Sequence, residues 1–127
     1  MSQVGYVLDA AAMLRYGSSV ELGQLLFGAV ETDTVVALPL ISLAEAYRRA
    51  SEEQVALLDA LCGQPAVGVL APDADDALAL GGIAATAGDL NRAHAVVEAM
   101  RQRAVLLTPD ADALRLELPD GWPVVEL

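Results

Sequence analysis

Short runs of β-branched and aliphatic residues alternate along this chain with longer stretches whose apolar residues recur at helical spacing. Residues 4–8 read as a buried strand ending at Asp9, and residues 10–16 as a short helix closed by Gly17. Ser18 and Glu21 have the spacing of a capping box and open a second helix. Residues 34–40 form a second strand. Ser42 and Glu45 repeat the capping-box spacing and open a helix through Arg49, and a further helix runs over 52–61. Residues 67–70 are a third strand. Asp73 caps a helix through Ala85 that Gly88 ends, and Asp89 caps the next, over 90–103. Residues 104–107 are a fourth strand, 110–114 a helical turn, and 124–126 a last strand.

That order, β-αα-β-αα-β-αα-β-α-β, calls for an open parallel sheet with helices on both faces. Nothing in it marks a linker or a repeat, so residues 1–127 read as one domain. Ligands of such sheets bind beyond the carboxyl ends of the strands, which directs attention to the residues just after each one. Asp9 follows the first strand, Glu45 lies one turn into the helix after the second, and Asp110 lies just past the fourth. Asp89 opens the helix that leads into the fourth strand. Converging carboxylates repel unless a cation neutralises them, and Mg²⁺ or Mn²⁺ prefers such oxygen ligands. A site of that kind activates water for phosphodiester cleavage.

Taken singly, each acid also has a structural reading. Asp9 can bond backbone N–H groups at a strand end. Glu45 can close its capping box, Asp89 can be an N-cap, and Asp110 can cap the last helical turn. Their joint placement after successive strands raises the functional one. Related phosphate chemistries fail on composition. The chain has no lysine, which receiver domains need beside their acids. Ala11 stands where dehalogenase-type phosphatases need a second aspartate. No glycine-rich phosphate loop follows any strand.

Composition narrows the classes further. The net charge is −11, and all seven basic residues are arginines, so no basic face suggests non-specific nucleic-acid binding. Hydrophobic residues make up 55% of the chain and the mean hydropathy is +0.46, an apolar excess that suits a face covered by a second copy or another protein. The lone Cys62 excludes an internal disulfide and suits a reducing compartment. No apolar run approaches the ~20 residues of a membrane helix. The N-terminus lacks the pattern of a signal peptide. A soluble cytoplasmic protein is expected.

Four segments resemble PIN domains. Residues 6–14 (YVLDAAAML) resemble their opening strand with its aspartate at Asp9, and residues 38–50 (LPLISLAEAYRRA) the second strand and helix with a glutamate at Glu45. Residues 88–99 (GDLNRAHAVVEA) resemble the helix bearing the third acid, and residues 104–110 (AVLLTPD) the closing strand with its T-x-D ending at Asp110. Order, spacing and length are similar to the VapC-like toxin branch. The resemblance implies a three-layer α/β/α fold with a parallel sheet of about five strands, ordered 3-2-1-4-5. It implies a Mg²⁺- or Mn²⁺-dependent endoribonuclease that cuts single-stranded regions of RNA, forms homodimers and is held inactive by an antitoxin protein. Asp9, Glu45 and Asp110 would be the catalytic and metal-holding acids, with Asp89 a fourth candidate ligand.

Two departures bear on that expectation. Ala11 replaces the hydroxyl residue usual two places after the first aspartate. Arg92 occupies the usual position of the third acid, one helical turn beyond Asp89. A guanidinium there pairs with carboxylates and partly replaces a cation, so weakened or absent metal binding follows. The alternative is thus a catalytically degenerate PIN fold that acts as a binding module through a protein partner. Arg15, Arg48 and Arg49 are candidate phosphate contacts or a solvated face. His94, beside an apolar stripe, reads as a packed histidine more readily than as a ligand.

Overall fold

The centre of the sheet is β1 (Gln3–Leu8), whose inner end is wholly buried at Val7 and Leu8. In the computed structural model of the chain, which describes residues 2–127, β1 pairs on one side with β2 (Thr34–Pro39) and on the other with β4 (Val105–Thr108). β3 (Val67–Leu70) lies beyond β2 and β5 (Val124–Glu126) beyond β4. All these pairings are parallel, and the order is β3-β2-β1-β4-β5. Parallel neighbours need crossovers, and the helices supply them: α1 (Ala10–Met13), α2 (Val20–Glu31), α3 (Leu40–Arg49), α4 (Glu52–Cys62), α5 (Ala77–Ala87), α6 (Leu90–Gln102) and α7 (Ala111–Arg115). The expected five-stranded, three-layer α/β/α architecture is therefore present.

Strand alternation sorts the core into two layers. Leu8, Val36, Leu38 and Leu107 face one side with residues of α1 to α4, such as Met13, Leu22 and Leu58. Val7, Ala37 and Leu106 face the other, against Ala95, Val96 and Ala99 of α6 and Leu114 of α7. The alanines on the inner face of α6 let that helix lie close on the sheet. No helix among the described residues is long and apolar enough to cross a membrane.

Two expected caps fall elsewhere. Helix α2 is capped by Ser19, whose Oγ accepts from the Leu22 N–H at 3.1 Å, one residue later than the Ser18–Glu21 spacing suggested. Helix α3 begins at Leu40, directly out of β2, with Pro39 at its N-cap and no side-chain cap bond. The ring of Pro39 already holds φ at −61°, which suits a helix entrance. Ser42 consequently sits inside the helix, buried, and donates to the Asn91 carbonyl oxygen at 2.8 Å. Glu45 is therefore not a capping-box residue and is free for other partners. Asp89 does cap α6, and Gly88, at φ +102°, ends α5.

The register of β1 on β2 shifts between Val4 and Tyr6, at Gly5. A Cβ at Gly5 would stand 2.4 Å from Thr34 Cγ2. Thr34 is β-branched and stiff about χ1, so it yields poorly. Gly5→Ala is expected to destabilise the fold by about 1–3 kcal/mol in urea denaturation, and the double variant Gly5→Ala/Thr34→Ser to recover most of it.

Candidate functional site: an acidic pocket closed by arginines

Asp9 is delivered to the carboxyl end of β1 and is only 2% exposed. A carboxylate that far from water needs donors on both oxygens. Oδ1 accepts from the Ala12 N–H at 2.8 Å, which caps α1. Oδ2 accepts from the Thr108 hydroxyl at 2.5 Å. Thr108, fully buried at the end of β4, also accepts from the Asp110 N–H at 3.0 Å. The T-x-D ending thus joins the first acid to the backbone of the last. Burial pushes the Asp9 carboxyl above its ordinary range, against the opposing pull of the Thr108 hydroxyl, the Ala12 N–H and the charges of Arg92 and Arg49.

Asp110 and Arg92 form the next contact. The Arg92 Nη2 donates to Asp110 Oδ2 at 2.5 Å, and its Nη1 donates to the Ala87 carbonyl oxygen at 3.3 Å. That carbonyl belongs to the last turn of α5, where unpaired carbonyl oxygens favour a cation. The guanidinium is thereby held from two sides at the edge of the acidic pocket.

Glu45 is held in the same way within its own helix. The Nε and Nη2 of Arg48 fork onto its two oxygens at 2.7 and 2.6 Å, and Arg49 Nε adds a bond at 2.6 Å. These donors bring the Glu45 carboxyl down to about 2. Asp89 is occupied as the N-cap of α6, accepting from the Arg92 N–H at 2.8 Å and from Asn91 Nδ2 at 3.2 Å. Asn91 in turn accepts from the Ala10 N–H at 3.1 Å, so it ties the start of α6 to the residue after Asp9.

The four candidate acids therefore occupy one end of the sheet in two separate settings. Asp9 and Asp110 are linked through Thr108. Glu45 and Asp89 instead line an open groove of about 470 Å³ between α3 and α6, with Ile41, Arg48, Arg49 and Asn91. Among the described residues, no group of three or more His, Cys, Asp or Glu side chains could hold one metal ion. With Arg92 on Asp110, Arg48 and Arg49 on Glu45, and N–H or O–H donors on Asp9 and Asp89, this donor set does not fit Mg²⁺ or Mn²⁺. Such an ion needs free oxygens at an octahedral spacing. His94 is not in the pocket; it is fully buried on α6, beside Glu98.

Three participants carry little sequence signal of their own. Asn91 acts through the start of α1, far from it in the chain. The hydroxyl of Thr108 acts through a neighbouring strand. Glu98 is visible only as the residue four places after His94, a spacing that puts both on one helix face.

Two solved structures share this architecture. The crystal structure of PAE2754 from Pyrobaculum aerophilum is 19% identical with a TM-score of 0.62, over 97% of this chain and 92% of that one. The crystal structure of VapBC2 from Rickettsia felis, bound to a DNA fragment from their promoter, is 15% identical with a TM-score of 0.63, over 96% of this chain and 98% of that one. At these identities the likeness concerns the fold, which is PIN-like. No protein-family model matches the sequence, and no curated protein sequence does.

Thr108→Val removes the donor to the buried Asp9 while keeping side-chain volume. It is expected to cost about 1–3 kcal/mol in urea denaturation at neutral pH, with Thr108→Ser close to the parent protein. The Glu45 clamp has its own readout. Because its pKa is lowered, its contribution is present above the ordinary carboxyl value and is lost as pH falls toward 2. In Arg48→Gln/Arg49→Gln, the Glu45 carboxyl resonance should titrate back near ~4.3, as followed by NMR.

Proposed function

We propose that this chain is a PIN-fold protein of the toxin–antitoxin type that has exchanged its metal for internal arginines and works as a binding module through a protein partner. The observation that carries this reading is the ion pair between Arg92 and Asp110, at the position where the PIN pattern has an acid. A fixed guanidinium there repels a divalent cation and occupies a carboxylate that the cation would need. The net charge of −11 also disfavours RNA as the principal ligand.

The likeness to VapBC2 supports an antitoxin-type partner. Exposed apolar residues supply surface for it. Val20, Phe27 and Val30 stand out along α2, and Leu78 lies open on the uncharged helix α5. One of these faces can serve a partner and another a second copy, giving a homodimer. The single cysteine suits a reducing, cytoplasmic setting.

The runner-up is the metal-dependent endoribonuclease, in which Asp9, Glu45 and Asp110, with Asp89, hold Mg²⁺ or Mn²⁺ after the arginines are displaced. It is favoured by the Thr108 bridge, which keeps Asp9 and Asp110 at the ends of adjacent strands. The two readings separate on metal binding and RNA cleavage. The parent protein is expected to show no Mn²⁺ binding by calorimetry up to millimolar concentrations and no EDTA-sensitive cleavage of a mixed RNA panel. Arg92→Asp should gain measurable Mn²⁺ binding and a raised Tm in its presence. Metal-dependent cleavage by the parent protein that disappears in Asp9→Asn would overturn the binding-module reading and restore the nuclease.

A further inference from the structure

The groove between α3 and α6 depends on how α3 is seated, and α3 begins without a cap of its own. The first N–H groups of a helix have no partner inside it, and Pro39 offers no side-chain acceptor. One of them, the Ile41 N–H, donates instead to Nδ1 of His94, on α6, at 3.2 Å. The other ring nitrogen, Nε2, stands 3.2 Å from Glu98 Oε2. These partners define the imidazole. Nδ1 is an acceptor and carries no proton, so the proton is on Nε2 and is donated to the Glu98 carboxylate. His94 is 0% exposed and Glu98 1% exposed.

We propose that His94 is the N-terminal cap of α3, supplied from α6, and that it makes the seating of α3 conditional on a neutral imidazole, so that the α3–α6 groove loosens as pH falls below neutrality. A proton added at Nδ1 would face the Ile41 N–H, setting donor against donor at a fully buried ring. It would also place a positive charge at the N-terminus of α3, where the helix dipole opposes it. Ile41 lines the groove and Ser42 bonds α6 through the Asn91 carbonyl oxygen, so losing this cap disturbs the groove wall directly. The inference holds whichever ligand the groove takes.

Of the charged groups around His94, the carboxylates favour a proton on the ring and Arg101 opposes it. On α6 the ring faces Glu98, and Arg101 stands 3.4 Å from the other Glu98 oxygen, which has no hydrogen-bond partner. Arg101 is drawn away by an ion pair with Asp76, before α5. Strands β2 and β4 and helix α5 carry no titratable side chain, Glu45, Arg48 and Arg49 of α3 are engaged with one another and Tyr47 with Asp59, and Tyr6 of β1 packs in the opposite core layer. Burial holds the imidazole below its ordinary pKa, outweighing the pull of Glu98 and Asp76. The unfolded chain then takes up a proton near ~6.5 that the folded chain refuses, so stability is full above that value and falls as pH drops through it. Asp9, whose pKa is raised, works in the opposite sense, since there the folded form binds the proton first. The difference between the parent protein and a His94 variant isolates the histidine.

His94 is the only histidine in the chain, so its ring signals need no assignment. ¹⁵N NMR of the folded protein should show the Nε2–H tautomer at neutral pH and no protonation near ~6.5. Amide exchange at Ile41, expressed as a protection factor, should fall by up to about tenfold for each pH unit below ~6.5 as pH is lowered from ~7.5 to ~5. His94→Gln can still accept from Ile41 and donate to Glu98 but does not titrate, and its Ile41 protection should lack the histidine-linked fall over that range. An Nδ1–H tautomer, ordinary titration near ~6.5 without loss of structure, or equal pH dependence in both proteins would overturn the proposal. If His94→Gln does not fold, the ring measurement on the parent protein alone decides.

Discussion

The Thr108 hydroxyl gives to Asp9 and takes from the Asp110 N–H, and much of the architecture is tied to that one group. A carboxylate as deeply buried as Asp9 is tolerated only with donors on both oxygens, and these come from the next strand and from the first turn of α1. The same corner takes in Asn91, whose amide oxygen accepts from Ala10 and whose NH₂ reaches Asp89. Strands β1 and β4 and helices α1 and α6 are thus locked together by a short polar chain beneath the pocket. Such a network is stabilising because it is complete; a missing donor leaves an unpaired charge out of water.

Around this corner the protein handles its acids with guanidinium groups. Arg92 covers Asp110 and is held in turn by the C-terminal carbonyl of α5. Arg48 and Arg49 clamp Glu45 from one turn further along α3. Arg48 forks onto both Glu45 oxygens, the geometry in which a guanidinium pairs most strongly with a carboxylate. The PIN-like architecture here carries arginines among its strand-end acids, and fold alone does not carry function. The buried pair of His94 and Glu98 is a second polar feature in the α6 layer, and it holds α3 from behind the groove.

Much of this was legible in the chain. Residues 4–8, 34–40, 67–70 and 104–107 alternate with helical stretches, and that rhythm placed the strands and their parallel crossovers. The caps at Asp89 and the stop at Gly88 could be read because capping chemistry is local. The Ser42–Glu45 spacing misled because Pro39 starts α3 straight out of the strand, turning Ser42 inward. Ser18 gave way to Ser19 because either hydroxyl can cap; that of Ser19 accepts from the Leu22 N–H while that of Ser18 donates to the Arg15 carbonyl oxygen.

Sequence by itself determined the alternating architecture, the two-sided core and the acids that follow the strands. Each of these depends on residue type and spacing along one segment. Only the tertiary structure decided which distant polar groups meet. Arg92 and Asp110 are 18 residues apart, Asp9 and Thr108 are 99, and Ile41 and His94 are 53. Contacts across such separations are set by sheet order and helix packing, and no local pattern encodes them.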